Sequence, residues 1–485
     1  MAEHSEEPNS FRDSLATIDK RGRRKWVFPT QPVGPLYRWR SVVAVFLLAF
    51  LFGAPFVRIG GNPLLQFDLL NRKFFIFGAV FWPQDFYIFV LCTIAFVVLV
   101  ILFTAAFGRL FCGWVCPQTI FLEMVFRRIE YWLEGNGPRQ RQLAHSPWTA
   151  GKLMRKTLKQ GIFFALSFLI ANTFLEYIIG VDALFTIITD SPAKHLTGLF
   201  AMLVFTGAFY FVFAWFREQA CTLVCPYGRL QSVLLDNNSV VIAYDFKRGE
   251  PRGPVVRGRE RTPDGDCIEC GACVRVCPTG IDIRNGTQLE CVNCTACIDA
   301  CNRVMARMGW RPGLIRYSSY NNIALGQKLR FTPRMAIYTG VLVVLLGLIS
   351  VFLSGRSKVE TTILRTTGSM YELLENGTVR NLYTVSVANK TSEPMTVELR
   401  LKSPKGEATV VGPALEVLPQ GLKESIFTVE IPRTNLFAAN SAIVVVVVSG
   451  GKVLEEVRST FVGPDPKKHD QHEEDERDKH ESEEK

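Results

Sequence analysis

The chain has 485 residues, 48% of them hydrophobic and 36 of them Phe, yet 21% are charged; this mixture points to membrane spans joined to soluble parts over two to four domains. The net charge of +10 would suit a nucleic-acid partner, but its uneven placement along the chain has a topological explanation that needs none. Of the 13 cysteines none follows Cys301, the reverse of a secreted disulfide scaffold.

In chain order, residues 1–40 read as a polar, basic arm with no cleavable signal peptide. Five apolar runs follow, at about 41–58, 86–107, 161–181, 196–216 and 334–353, each near the ~20 residues that a spanning helix needs. A further run, 74–82, is too short to cross and is expected at the membrane interface. Base is concentrated in the arm (Lys20, Arg21, Arg23, Arg24, Lys25, Arg38, Arg40) and between the second and third runs (Arg109, Arg127, Arg128, Arg139, Arg141, Lys152, Arg155, Lys156, Lys159). The segment between the fourth and fifth runs is also rich in arginine. The other two connections carry little base. By the positive-inside rule the amino terminus is then cytoplasmic, and five spans put the carboxy-terminal part on the other side. Within the third run, Asn172 and Glu176 lie four apart on one helical face and are candidates for a role inside the membrane, although Glu176 is near enough to the end to reach the interface. Asp182 and Asp190 are expected in a short, solvated outer loop.

The expected division is an arm at 1–40, four spans at 41–235, a cysteine-rich segment at 236–333, a fifth span at 334–354, an outer domain at 355–465 and a charged tail at 466–485. In the outer domain the runs VRNLYTVSVANKT, MTVELRLKS, ATVVGPALEVLP, KESIFTVEIPR and SAIVVVVVSGGKVLEEVRSTF read as strands separated by turns. Six or seven such strands suggest an immunoglobulin-like sandwich, with partner docking as its role. The tail, KKHDQHEEDERDKHESEEK, is expected to be disordered, its His469, His472 and His480 solvated rather than metal-bound.

Eight cysteines carry the strongest signal. CIECGACVRVCP supplies Cys267, Cys270, Cys273 and Cys277; CVNCTACIDACN supplies Cys291, Cys294, Cys297 and Cys301. C-x2-C-x2-C-x3-C is the two-cluster bacterial ferredoxin spacing, in which the fourth cysteine of each run ligates the other cluster. Two 4Fe–4S clusters are therefore expected, one on Cys267, Cys270, Cys273 and Cys301, the other on Cys291, Cys294, Cys297 and Cys277. The small residues Gly271, Ala272, Thr295 and Ala296 allow tight folding around sulfur. Asn302 stands where the pattern has proline, which leaves all four thiols in place. Structural zinc would space its C-x2-C pairs more widely.

Four more thiols repeat a second pattern. RLFCGWVCPQ holds Cys112 and Cys116 before Pro117; REQACTLVCPYGRL holds Cys221 and Cys225 before Pro226. Each C-x3-C-P follows an apolar run, so spans one–two and three–four look like a weak internal repeat. Cysteines four apart on a helix have Cβ atoms about 5–6 Å apart, more than the ~3.5–4.5 Å of a disulfide. Proline disfavours helical geometry at the residue before it, so each helix is expected to end or kink there. Convergence of the four thiolates would suit Cu(I), zinc or an iron–sulfur centre, or a redox dithiol pair; a packing role is the other reading. Cys92, inside the second run, reads as a small packing residue.

Together, five spans, paired C-x3-C-P motifs, a double 4Fe–4S insert and an outer sandwich resemble the FixG/CcoG/RdxA family of bacterial inner-membrane accessory proteins for cbb-type cytochrome c oxidase. The resemblance covers all but the first 35 or so residues and the tail. It implies an iron–sulfur oxidoreductase that reduces Cu(II) to Cu(I) for delivery to the oxidase, with Cys112, Cys116, Cys221 and Cys225 as the copper or redox thiols. Expected partners are the copper ion, a copper chaperone or oxidase assembly factors, and a cytoplasmic electron donor or quinol. A quinol-oxidising electron conduit to another protein and a non-catalytic assembly scaffold are the alternatives.

Overall fold

The structure is a computed structural model; it describes residues 16–464 apart from 20, 70–72, 83–84, 255–264, 329–330, 356, 358, 367–370, 392, 420 and 437. The tail histidines and nearly all of the expected tail therefore lie outside the described residues. The chain divides into two compact units, Met1–Ser350 and Val351–Lys485.

In the first unit five helices are long and apolar enough to cross a membrane: Pro35–Phe56, Phe86–Phe107, Ala150–Ile179, Leu196–Phe216 and Pro333–Ser354. Two begin earlier than the apolar pattern predicts. The first starts at Pro35, where proline at the first helical position loses no hydrogen bond. Asp299 accepts from the backbone N–H groups of Leu36 and Tyr37 there, at 3.3 and 2.8 Å. The third starts at Ala150, eleven residues before the apolar run, with the Thr149 hydroxyl accepting from Lys152 N–H. Its extra turns carry Lys156 and Lys159, which the hydropathy pattern treats as an ending. Both lysines are paired instead, Lys156 with Glu134 at 2.8 Å and Lys159 with Glu134 at 3.0 Å.

The third and fourth helices meet through aromatic side chains, with Phe174 5.3 Å from Phe209 and Phe164 5.9 Å from Tyr210. Below them Phe126 stacks on Phe213 at 4.7 Å and meets Phe163 edge-on at 4.8 Å. These rings and Ile170 form the apolar core of the bundle. The fifth helix buries none of its residues among those described. Residues 74–82, expected at the membrane interface, are parts of an antiparallel three-stranded sheet, Leu65–Asp68, Lys73–Ile76 and Ala79–Phe81. A four-residue strand needs no spanning length, so the shortness of the run did not exclude it. Asp182 lies inside a short helix, Val181–Thr189, and Asp190 caps it; neither is in a loop.

In the second unit two antiparallel sheets share a core. One has the order Glu407–Val411, Leu422–Pro432, Thr378–Asn389, Val359–Arg365, with Glu372–Leu373 beside Thr378–Asn389; the other has Leu415–Val417, Met395–Ser403, Asn440–Ser449, Lys452–Val462. The described residues thus form nine strands, more than the six or seven expected. Glu407–Val411 and Leu415–Val417 split one predicted run, and Asn440–Ser449 and Lys452–Val462 split another. Val379, Tyr383, Val385 and Val387 alternate inward to meet Phe427, Val445, Val447 and Phe461 in the core.

Candidate metal centre

The two ferredoxin runs fold as copies of one another. Glu269 and Asn293, each before the second cysteine of its run, both take φ 53°. Gly271 and Thr295, each after it, take φ 62° and 65° and cap the helices Ala272–Arg275 and Ala296–Arg307. Alternating left-handed residues turn successive N–H groups to one side, the arrangement that favours an anion. Glycine makes this conformation without strain at 271; at Asn293 and Thr295 the surrounding fold imposes it.

These turns build two enclosed cysteine nests. Cys267, Cys270, Cys273 and Cys301 line the first, with Tyr244, Met305 and Leu314. Cys277, Cys291, Cys294 and Cys297 line the second, with Ile242, Ile281 and Val292; Cys273 borders it too. Each nest thus takes three cysteines from one run and the fourth from the other. Among the described residues no three His, Cys, Asp or Glu side chains stand at the spacing of a single metal ion, and a cubane holds its thiolates farther apart than one ion does. Sulfur-only donors in apolar pockets suit 4Fe–4S clusters. So does the charge around the second nest: Arg40 is buried, acts on Cys294 and has its Nη2 unpartnered. Burial pushes the thiols up, Cys273 to about 11 and Cys291 to about 12, so ligation must displace protons.

The C-x3-C-P motifs lie just beyond the second and fourth apolar helices, and their backbones also match. Four residues before the first cysteine, Gly108 has φ 58° and ψ −131°, and Arg217 has φ 52° and ψ −124°. Each apolar helix stops at that residue, and a separate turn carries the thiols. Cys116 N–H donates to Phe111 O at 3.0 Å and Cys225 N–H to Ala220 O at 2.9 Å, one residue wider than an α-helical bond. Cys116 (φ −58°, ψ 122°) and Cys225 (φ −63°, ψ 113°) are extended, and new helices begin at Pro117 and Pro226. Proline accounts for the break, as the residue before it avoids helical ψ.

The halves interlock. Arg109 donates to Gly228 O at 2.5 Å, Gln118 to Arg217 O at 3.4 Å, and the Thr104 and Tyr227 hydroxyls are 2.8 Å apart. The four thiols come within range of one another's charges: Cys221 feels Cys116, Cys112 and Cys225, and Cys112 feels Cys116 and Cys225. Burial raises the Cys221 thiol to about 12. Burial also raises Cys112 to about 11, against a hydrogen bond from Gln231 Nε2 at 3.3 Å.

Of this quartet, Cys112 abuts the second nest. Cys112 packs against the core of Val276, Val292, Cys294 and Ala296. At Gly113 a Cβ would come within 2.5 Å of Val292 O and 2.6 Å of Asn293 O, so only glycine permits the approach. Arg40 Nε donates to Gly113 O at 2.6 Å, and Trp114 Nε1 to Tyr317 OH at 3.2 Å. Cys92 is exposed on the second helix, away from this assembly. Asn172 is buried and donates to Phe168 O at 2.7 Å; Glu176 lines a cleft with Arg58, Gln66 and Asp182.

Beside the second motif lies an ion network that the sequence reading passed over. Arg217 donates two hydrogen bonds to Glu130, at 2.6 and 2.8 Å. Arg127 pairs with Glu123 at 3.1 Å and Glu218 at 3.4 Å, and Arg24 with Glu218 at 3.1 Å. Glu123, Arg127, Glu130 and Glu134 are spaced to share one helical face, the signal that would have revealed it.

Two cysteine nests in a chain with five helices long and apolar enough to cross a membrane define a membrane iron–sulfur protein. Family models match along the chain: a 4Fe-4S binding domain matches residues 89–136, which hold Cys112 and Cys116 and none of the nest cysteines, a 4Fe-4S dicluster domain 216–320, and the IG-like fold at the C-terminal of FixG 349–464. Protein RdxA of Cereibacter sphaeroides is 32% identical over 78% of this chain and 83% of its own, and Protein RdxB of the same organism is 32% identical over 79% and 83%. Nitrogen fixation protein FixG of Rhizobium meliloti is 29% identical over 81% and 82%. The chain belongs to the FixG/RdxA family.

Proposed function

We propose that this protein is an inner-membrane oxidoreductase that reduces Cu(II) to Cu(I) for cbb-type cytochrome c oxidase assembly. In this reading the nests face the cytoplasm and the sandwich faces the periplasm, where it docks assembly partners. The observation that carries the reading is the packing of Cys112 against the core that holds Cys294. Sulfur ligands favour the reduced ion; no three of the quartet thiols stand at single-ion spacing in this structure, so in this reading they close around copper as it binds. When bound, the 4Fe–4S clusters would supply single electrons. The chain's own part is to gather the thiols and release their protons as copper binds. The Gly113 contact and Arg40 hold the turn that carries Cys112 against the second nest.

The test is serine at Cys112, Cys116, Cys221 and Cys225 together. Cluster absorbance and iron content are expected to persist, while anaerobic Cu(II) reduction, read with a Cu(I) chelator, falls to background. Reduction at the wild-type rate would overturn the proposal.

A further inference from the structure

Two arginines stand where the turn Leu110–Trp114 meets the second nest, and both are buried, Arg40 at 2% exposure and Arg109 at 6%. Arg40 comes from the first helix. Its Nε donates to Gly113 O at 2.6 Å, and its Nη2 is buried with no acceptor. Burial pushes the Cys294 thiol up, to about 11, and Arg40 is the strongest charge opposing that rise. Arg109 precedes the turn. It donates to Gly228 O at 2.5 Å and to Leu289 O, two residues before Cys291, and its Nε is buried with no acceptor. Its charge opposes the effect of burial at both Cys112 and Cys291.

Among the described residues neither arginine forms an ion pair with a carboxylate. Glu290 lies near Arg109 without reaching that distance, and Glu123, whose charge is felt at Cys294, is paired with Arg127 at 3.1 Å. A buried full charge is costly unless an opposite charge lies beside it, and a carbonyl satisfies one N–H without neutralising anything. The second nest supplies the missing anion, because an iron–sulfur cube held by four thiolates is negative.

The first nest differs in charge and not in backbone. Glu269 and Gly271 repeat the left-handed turns of Asn293 and Thr295, so N–H groups do not distinguish the two. The cations beside the first nest are already neutralised, Arg284 by Asp282 at 2.6 Å and Arg248 by Asp266. Beside Cys277 a cavity of about 380 Å³ opens between the arm (Lys25–Thr30), the helix Gly137–His145 and the first ferredoxin run. Its cations, Lys25, Arg141 and Arg275, are exposed, so water and salt screen them. Reduction adds one negative charge to a cluster, and net charge is one of the terms that set its potential. Burial alone would oppose that added charge, but it also strips screening from Arg40 and Arg109, and two unpaired full charges outweigh it. Of the eight nest thiols only Cys270, in the first nest, is exposed.

We infer that Arg40 and Arg109 are the counter-ions of the second nest and give it the higher potential of the two, so that an electron delivered to the exposed first nest by a one-electron carrier comes to rest beside Cys112. The transfer between nests oxidises the first cluster and reduces the second by one electron; no proton moves and no bond breaks. The counter-ion role rests on the nests holding clusters and stands apart from the copper assignment, on which only the onward step to Cys112 rests.

The test is a copper-free redox titration of the full-length, cluster-loaded protein in detergent, poised with dithionite and followed by electron paramagnetic resonance. Two separate one-electron steps are expected. Arg40→Gln should weaken reduction at the higher step about tenfold, ~59 mV for one electron, and leave the lower step in place. Arg40→Lys, which keeps the charge, should recover most of that shift. Arg284→Gln, at the first nest, should leave the higher step where it is. Should Arg40→Gln lose iron, Arg109→Gln carries the same test. Coincident steps in the wild type, a shift of the lower step in place of the higher, an equal shift in Arg40→Lys, a moved higher step in Arg284→Gln, or loss of iron from both Arg40→Gln and Arg109→Gln would each overturn the inference. The titration contains no copper, so these shifts together with absent copper reduction would overturn the copper reading alone.

Discussion

Glu130 is enclosed by charge. Burial pushes its carboxyl up, but the Arg217 guanidinium, with two hydrogen bonds, and the nearby Lys159 pull it further down, to about 2 against an ordinary 4.5. A carboxyl depressed in the folded state contributes stability above its unfolded value and loses that contribution as pH falls through the folded value. The contribution of Glu130 is therefore complete above pH 4.5 and disappears on acidification toward pH 2. Glu130→Gln removes the doubly hydrogen-bonded partner of buried Arg217 and leaves it only the longer pairing with Glu218 at 3.6 Å; breaking a buried pair typically costs about 3–5 kcal/mol. Thermal unfolding in detergent should show a large loss for the variant near neutral pH. The gap should shrink below pH 4.5, where only the wild type still loses stability through this group. A gap that stays constant with pH would deny the pairing. Arg217 has a second constraint, its left-handed φ of 52°. A non-glycine residue there adopts a costly conformation, held by its contacts with Glu130 on one side and Gln118 on the other.

Short elements do the joining. The turn Leu110–Trp114 carries Cys112 on one side and brings Gly113 to the loop at Val292–Asn293 on the other. Gly113→Ala places a methyl inside backbone contact distance, so the turn and the loop must separate. Both nests should still assemble, with unchanged iron content, because no ligand is touched. Copper reduction by the reduced protein is expected to fall at least about tenfold, a change of ~1.4 kcal/mol in barrier, and unaltered transfer would show that this contact is not the route. The thiol pattern of this element was legible: cysteines, spacing and the proline break all appear in the local sequence. Its backbone was not. Gly108 announces a left-handed cap, but the same conformation in the other half is occupied by Arg217, which gives no such signal. Lys156 and Lys159 hid the first turns of the third helix for a related reason. Their partner, Glu134, is more than 20 positions away, and hydropathy sees only the charge. The meeting of the arm, the helix at Gly137 and the first ferredoxin run was equally invisible, because only the fold brings them together.

At the scale of the whole chain, the second nest is a junction. Through Cys273 it borders the first nest, through Cys277 the cavity beside the arm, and through the Cys294 core the thiol of Cys112. All of these sites lie in the first unit, while the β-sandwich is a unit of its own. The sandwich contains no cysteine. Its core has Val379, Tyr383, Val385, Val387, Phe427, Val429, Ile431, Ile443, Val445, Val447 and Phe461 all fully buried by neighbours within the sandwich. Apolar burial of that kind, at about 25 cal/mol per Å², is what lets a domain of this size stand alone. The Tyr383 hydroxyl is satisfied inside it, donating to Thr460 O at 2.9 Å. Residues 357–464 expressed alone should therefore give a β-type circular dichroism spectrum and one cooperative melt. The complementary chain ending at 355 should keep its full cluster absorbance in detergent and show the same rate of anaerobic Cu(II) reduction as the full-length chain. Loss of the clusters in that truncated chain would mean that the sandwich supports the metal centre, and the division of labour drawn here would be wrong.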